Sequence, residues 1–190
     1  MQNNIINPEL FEQTGFSGLV VYKPRVFTDE RGYFFESFKQ KLWHDNGFDL
    51  NFEQDNQSFS TRGTLRGLHF QTGEHAQTKL VRVALGKAQV VVVDLRQREP
   101  TFGQHFSVTL DDQSQHQLLV PKGFAHGFLV LSEYCMYQYK IDNYWNKESE
   151  GGLNIFDESL EGVWQLSREQ ISANDRDKNW PILADLPLVF

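Results

Sequence analysis

The 190-residue sequence predicts an all-β fold. Aromatic residues reach 14%, with 16 Phe among them, and flat rings pack well on a pleated surface. Short apolar or alternating runs fill the middle of the chain, and turn-rich segments such as DDQSQ, PKG and LSE separate them at close intervals. That rhythm belongs to sandwiches, jelly rolls and barrels. Helix signals, by contrast, are few.

Taken in order, residues 18–22 and 32–38 read as strands on either side of the loop PRVFTDER. Residues 39–46 carry a helical pattern stopped by Gly47. Residues 80–85 and 89–95 flank Gly86-Lys87 and read as a hairpin. Residues 102–110, 116–120, 127–131 and 135–141 continue the strand series. Ser167 with Gln170 has the spacing of a capping box for a short C-terminal helix. With no repeat, low-complexity tract or linker, residues 1–190 are expected to form one domain.

Bulk composition narrows the function classes. Hydrophobic residues at 39% and charged residues at 23% fit a soluble chain with a real core. A net charge of -7 argues against a nucleic-acid-coating surface. An anionic small ligand stays open wherever a few Arg and Lys converge. The single Cys135 excludes an intramolecular disulfide and a Cys-rich zinc site, and it fits a reducing, cytoplasmic location. MQNNIINPELFEQ lacks the basic start and apolar run of a signal peptide. The apolar stretches 88–93 and 128–131 are too short to cross a bilayer.

The chemistry concentrates in TLRGLHFQTGEHAQTKLVRV, residues 64–83. Alternate strand side chains share a face, so Leu65, Gly67 and His69 are expected on one face, and Lys79, Val81 and Val83 on one face of the next strand. If both faces turn inward, an imidazole and an ammonium enter one cavity. Such a pair suits proton abstraction beside a carbonyl: the His accepts the proton and the Lys stabilises the enolate oxygen. Taken singly, a strand His beside Gly is more often structural, and Lys79 reads as a surface lysine.

VPKGFAHGF, residues 120–128, matches the second half of the cupin pattern through Pro121, Gly123 and His126. The first half of a metal-binding cupin has a His-x-His pair and a downstream Glu. Here that stretch is His69, Phe70, Gln71. One or two imidazoles are too few for a tight divalent site, so a cupin-like barrel without metal is expected. In MYQYKIDNYW, Tyr137 and Tyr139 share a face by period two. A phenol in a cavity is a general acid, although strand aromatics are usually packing groups. Tyr137 is expected in packing, and Tyr139 remains open.

Together these segments resemble the dTDP-4-dehydrorhamnose 3,5-epimerase family. The likeness runs from about Val20 to Trp180 through FTDERGYFFESF, FEQDNQSFS, LRGLHFQTGEHAQTKLVRV, REPTFGQ, VPKGFAHGF, LSEYCMYQYKIDNYW, SEGG and ISAND. The resemblance implies a cupin-like jelly-roll β-barrel with a few short helices. It also implies a homodimer exchanging N-terminal strands, and no metal or organic cofactor. It assigns His69 as base, Lys79 to the enolate and Tyr139 as acid on the opposite sugar face. It assigns Asp175, the Asp of ISAND, to orient the His, with Asp177 as the alternative. Arg31, Glu36, Gln54, Asp55, Asn56, Arg66, His126 and Glu150 match substrate-touching positions. The residue before the C-terminal Asp is often Lys in the family but is Asn174 here. Arg66 and His69, three apart, share a face only if the strand bulges or bends at Gly67, or if Arg66 reaches around an open end. Tyr144 and Phe34 are candidates for stacking on the nucleobase.

The implied reaction converts dTDP-4-dehydro-6-deoxy-D-glucose to dTDP-4-dehydro-L-rhamnose. The alternatives are a mono-epimerase acting at C3 or C5 only, a non-catalytic sugar-nucleotide binding barrel, and a metal-dependent cupin.

Overall fold

Alternating apolar runs pair here into two antiparallel sheets that bury their facing sides. The structure is a computed structural model describing residues 6–190. The first five residues, part of the stretch read above for a signal peptide, lie outside the described residues. One sheet has six strands in the order β1 (Phe11–Gln13), β2 (Val20–Tyr22), β10 (Gln117–Val120), β7 (Lys79–Leu85), β12 (Tyr134–Ile141) and β5 (Gln54–Thr61). The other has five, in the order β13 (Glu150–Gly152), β6 (Leu65–Gln71), β11 (Phe124–Val130), β8 (Lys87–Asp94) and β9 (His105–Asp111). A separate hairpin joins β3 (Phe27–Asp29) to β4 (Gly32–Phe34).

The space between the sheets is apolar. Val81 and Val83 of β7 meet Val90 and Val92 of β8, and Phe128 and Val130 of β11 meet Cys135 and Tyr137 of β12. Each Val or Phe removed from water here contributes about 1.5–3 kcal/mol. Tyr137 stacks on Phe128 across the sandwich, with ring centroids 3.9 Å apart. The outer faces are covered as well. Helix α1 (Gln40–Asp45) seats Trp43 against Phe11 and Tyr22. Residues 153–190 lay Leu153, Leu160 and Phe190 over Leu68 and Phe70.

Four local expectations change. Residues 80–85 and 89–95 do not form a hairpin: β7 and β8 lie in different sheets. Gly86, at φ 83°, lets the chain turn the corner, and a Cβ there would meet the Tyr134 carbonyl at 2.1 Å. The strand expected over 32–38 stops at Phe34, and part of the loop before it is the paired strand β3. Strand β5 was absent from the expected series, because QDNQSFST has polar residues on both faces. The box of Ser167 and Gln170 caps a three-residue 3-10 turn, Arg168–Gln170. The C-terminal α-helix is instead α2 (Asp175–Lys178), capped by the Asn174 side chain accepting from the Asp177 N–H at 2.7 Å. Among the described residues no helix is long and apolar enough to cross a membrane.

Candidate active site

At one open end of the sandwich the facing strands carry polar side chains around a cavity of about 290 Å³. Register explains which residues reach it. In the six-stranded sheet, Lys79 pairs with Ile141 and Tyr139 with Val81. Tyr139 also pairs with Asn56, and Ile141 with Gln54. Period two therefore turns Lys79, Tyr139, Asn56 and Gln54 to one face, and all four line the cavity. In the five-stranded sheet, His69 pairs with His126 and with Gly152, and Gln71 with Glu150. His69, Gln71 and Glu150 complete the opposite wall.

A bulge delivers His69. His126 pairs with His69 but Phe128 with Arg66, so three residues of β6 span two of β11. Gly67, at φ 134°, absorbs the extra residue, and a Cβ there would lie 2.4 Å from the Gly127 Cα. Leu65 and Leu68 consequently both join apolar clusters behind the sheet. Leu65 does not share a face with His69, as a regular strand would require. Arg66 turns inward with His69, its Nε donating to Ser60 Oγ at 3.3 Å.

The carboxylate behind His69 is Asp177, not Asp175. Asp177 is fully buried, and its Oδ1 accepts from His69 Nε2 at 2.7 Å. Its Oδ2 accepts from the Gly67 N–H at 3.2 Å. Burial pushes the Asp177 pKa up, but the His69 bond and charge, the Gly67 N–H and Arg176 together hold it below the ordinary carboxylate value. Asp175 opens the same helix with its side chain 96% exposed, near Lys178. The reason is helical: residues two apart point to different sides of a turn. Asn174 is the cap of this helix, so the residue preceding the buried Asp is Arg176. Arg176 forms a two-bond ion pair with Glu150, at 2.9 and 3.2 Å.

The other titratable groups are tuned by burial. Desolvation lowers Lys79 to about 8, against an opposing pull from Glu150. Tyr139 is raised by burial, with Arg66 pulling the other way, so it keeps its proton at neutral pH. His126 is buried, and burial, Lys79 and His69 hold it well below its ordinary pKa. Its Nε2 lies 3.0 Å from the Tyr137 hydroxyl. His126 therefore sits in a layer beneath the cavity rather than in its lining.

Three further expected residues stand elsewhere in this chain. Asp55 faces away from the cavity, paired with Lys140 at 2.7 Å on the outer side of the sheet, because it alternates with Gln54 and Asn56. Arg31 is 83% exposed and bonds Asp29. Glu36 is ion-paired with Lys39. Phe34 is exposed on the β3–β4 hairpin, and Tyr144 is exposed with its carbonyl bonded to Gln71. Trp145 lines the cavity in their place, as does Gln77. The sequence reading singled out none of Gln77, Trp145 and Arg176; Gln77 precedes β7, which begins at Lys79, so strand alternation does not reach it. Among the described residues no three His, Cys, Asp or Glu side chains converge as a metal site requires.

Comparison with known proteins gives a consistent result. The sequence model for dTDP-4-dehydrorhamnose 3,5-epimerase matches residues 13–185. The dTDP-4-dehydrorhamnose 3,5-epimerase of Salmonella typhimurium is 46% identical over 165 residues, 86% of this chain and 90% of the relative. That of Methanothermobacter thermautotrophicus is 40% identical over 179 residues, 94% and 96% of the two chains. A solved 3,5-epimerase from Legionella pneumophila, in complex with dTDP-4-keto-L-rhamnose, superposes with a TM-score of 0.89 at 38% identity and covers 94% of this chain and 96% of its own.

Proposed function

This chain belongs to the dTDP-4-dehydrorhamnose 3,5-epimerase family, and from that premise we propose that it inverts C3 and C5 of dTDP-4-dehydro-6-deoxy-D-glucose, forming dTDP-4-dehydro-L-rhamnose for dTDP-L-rhamnose biosynthesis. It is an isomerase, as its relatives are named. The observation that carries the reaction is that His69 and Tyr139, from opposite sheets, line one cavity with Lys79, while Asp177 backs His69 at 2.7 Å.

The 4-keto group acidifies both neighbouring carbons. His69 removes a proton, and Asp177 fixes its ring and favours the imidazolium formed. The Lys79 ammonium stabilises the enolate oxygen. Tyr139, still protonated, returns a proton on the other face, which inverts the centre. The same site then serves the second carbon. Arg66 receives diphosphate oxygens through its planar fork. Gln54, Asn56 and Glu150 hold the sugar. The chemistry is acid–base throughout and calls on no metal or organic cofactor.

The two-sheet fold is taken as a cupin-like jelly roll of one domain, acting as a cytoplasmic homodimer that exchanges N-terminal strands. Exchange would bring Arg31 and Glu36, exposed in one chain, to a neighbour's cavity. The test is turnover of dTDP-4-keto-6-deoxyglucose in deuterium oxide, coupled to a reductase forming dTDP-rhamnose. Label at both C3 and C5 is expected, and label at one carbon would make the enzyme a mono-epimerase. His69→Ala should lower turnover at least about a thousandfold, since a positioned base supplies about 10²–10⁴ for each of two carbons. Binding without turnover by the wild type would leave a carbohydrate-binding barrel.

A further inference from the structure

The Tyr137–His126 pair has no part in the proton transfers above, yet it lies directly beneath them. His126 is seated between β6 and β8, paired with His69 on one side and Val92 on the other. The charged or titratable groups acting on it are Lys79 on β7 and His69 on β6. Tyr137 reaches it from β12 in the opposite sheet, 0% exposed and stacked on Phe128 at an interplanar angle of 9°. Among the described residues the phenol has one hydrogen-bond partner, Nε2 of His126 at 3.0 Å.

The direction of that bond follows from accounting. A buried phenol keeps its proton, and a buried O–H without an acceptor is costly. If Nε2–H donated to the phenol, the phenolic proton would have no acceptor among the described residues. Donation from O–H to Nε2 satisfies it and confines the imidazole proton to Nδ1, an atom that is not among the enclosed unpartnered side-chain atoms of the described residues and so can meet water where the phenol cannot. The stacked, fully buried ring fixes the hydroxyl in place.

We propose that Tyr137 is a positioning residue of this cavity: by donating to Nε2 it fixes His126 as the neutral, Nδ1-protonated tautomer and keeps a second cation away from Lys79. Consumption of the His126 lone pair opposes its protonation. Lys79 thereby remains the cation nearest the enolate oxygen, a role that rests on the reaction proposed above.

The test uses the intact protein with ¹⁵N-labelled histidine. In the wild type at neutral pH, His126 Nδ1 should resonate as protonated and Nε2 as a hydrogen-bonded acceptor. An Nε2–H tautomer or an imidazolium would overturn the proposal, and this arm needs neither a variant nor turnover. Tyr137→Phe retains the stacked ring and should mix the two tautomers; an unchanged His126 spectrum would refute the role. Kinetically, Tyr137→Phe should cost about tenfold in kcat, the order of one hydrogen bond, with KM within about twofold. In a His126→Asn background the same change should cost less than about twofold; an equal loss in both backgrounds would mean that Tyr137 acts by packing alone. An inactive wild type would sink the reaction but leave the spectroscopic arm to decide this inference.

Discussion

At the residue scale, two carboxylates in one four-residue helix have opposite fates. Asp177 is buried against His69 and Asp175 is in solvent. Asp177→Asn should lower kcat by about 10²–10⁴, because the amide misorients the imidazole and no longer stabilises its cation. Asp175→Asn should stay within about twofold; steady-state kinetics on both variants checks the assignment, and the reverse ranking would refute it. Lys79 makes a pH prediction. In the proposed mechanism its ammonium is the useful form, and its pKa is lowered to about 8, so kcat should fall as pH rises through 8. Glu150 raises that pKa, so Glu150→Gln should move the alkaline limb to lower pH. A flat profile up to pH 10 would remove Lys79 from the mechanism. The stability sign is opposite: the unfolded chain holds this proton up to about 10.4, so raising the pH from 8 to 10 relieves a cost of burying the charge.

At the element scale, short structures set the geometry. The bulge at Gly67 turns both Arg66 and His69 inward and hands a backbone N–H to Asp177. Helix α2 is too short to stand on its own propensity; the Asn174 cap and the Glu150–Arg176 ion pair dock it. Asn174→Ala should cost about 1 kcal/mol of stability, read by denaturant titration. It should also lower kcat more than Asp175→Asn does, because the cap accepts from the N–H of Asp177 itself. An Asn174→Ala enzyme with unaltered kcat would show that the cap does not position the dyad. Much at this scale was legible beforehand: 18–22, 116–120 and 135–141 overlap β2, β10 and β12 closely. Strand β5 escaped notice because its inward residues Gln54 and Asn56 line a cavity rather than a core. A site-lining strand lacks the apolar alternation by which strands are recognised.

At the scale of the whole molecule, the cavity joins the two sheets, and neither sheet alone contains a reaction centre. The hairpin β3–β4 leaves Phe27, Tyr33 and Phe34 exposed at 55%, 55% and 66%, more apolar surface than a hairpin usually leaves to water. Sedimentation equilibrium should therefore give twice the 22.1 kDa chain mass, and a monomer at micromolar concentration would contradict the proposed dimer.

By itself the sequence determined the β-rich class and the family, and it singled out His69, Lys79 and Tyr139 as the candidates that line one cavity, because these depend on local pattern and on ordered motifs along one chain. Only the tertiary structure decided that β7 and β8 part at Gly86 into opposite sheets, that Asp177 rather than Asp175 meets His69, and that Tyr137 bonds His126. The physical reason is range. Period-two alternation carries information across a few residues, whereas these three outcomes depend on packing between segments from 11 to 108 residues apart. There a bulge, a helix cap and a buried hydrogen bond select the partner.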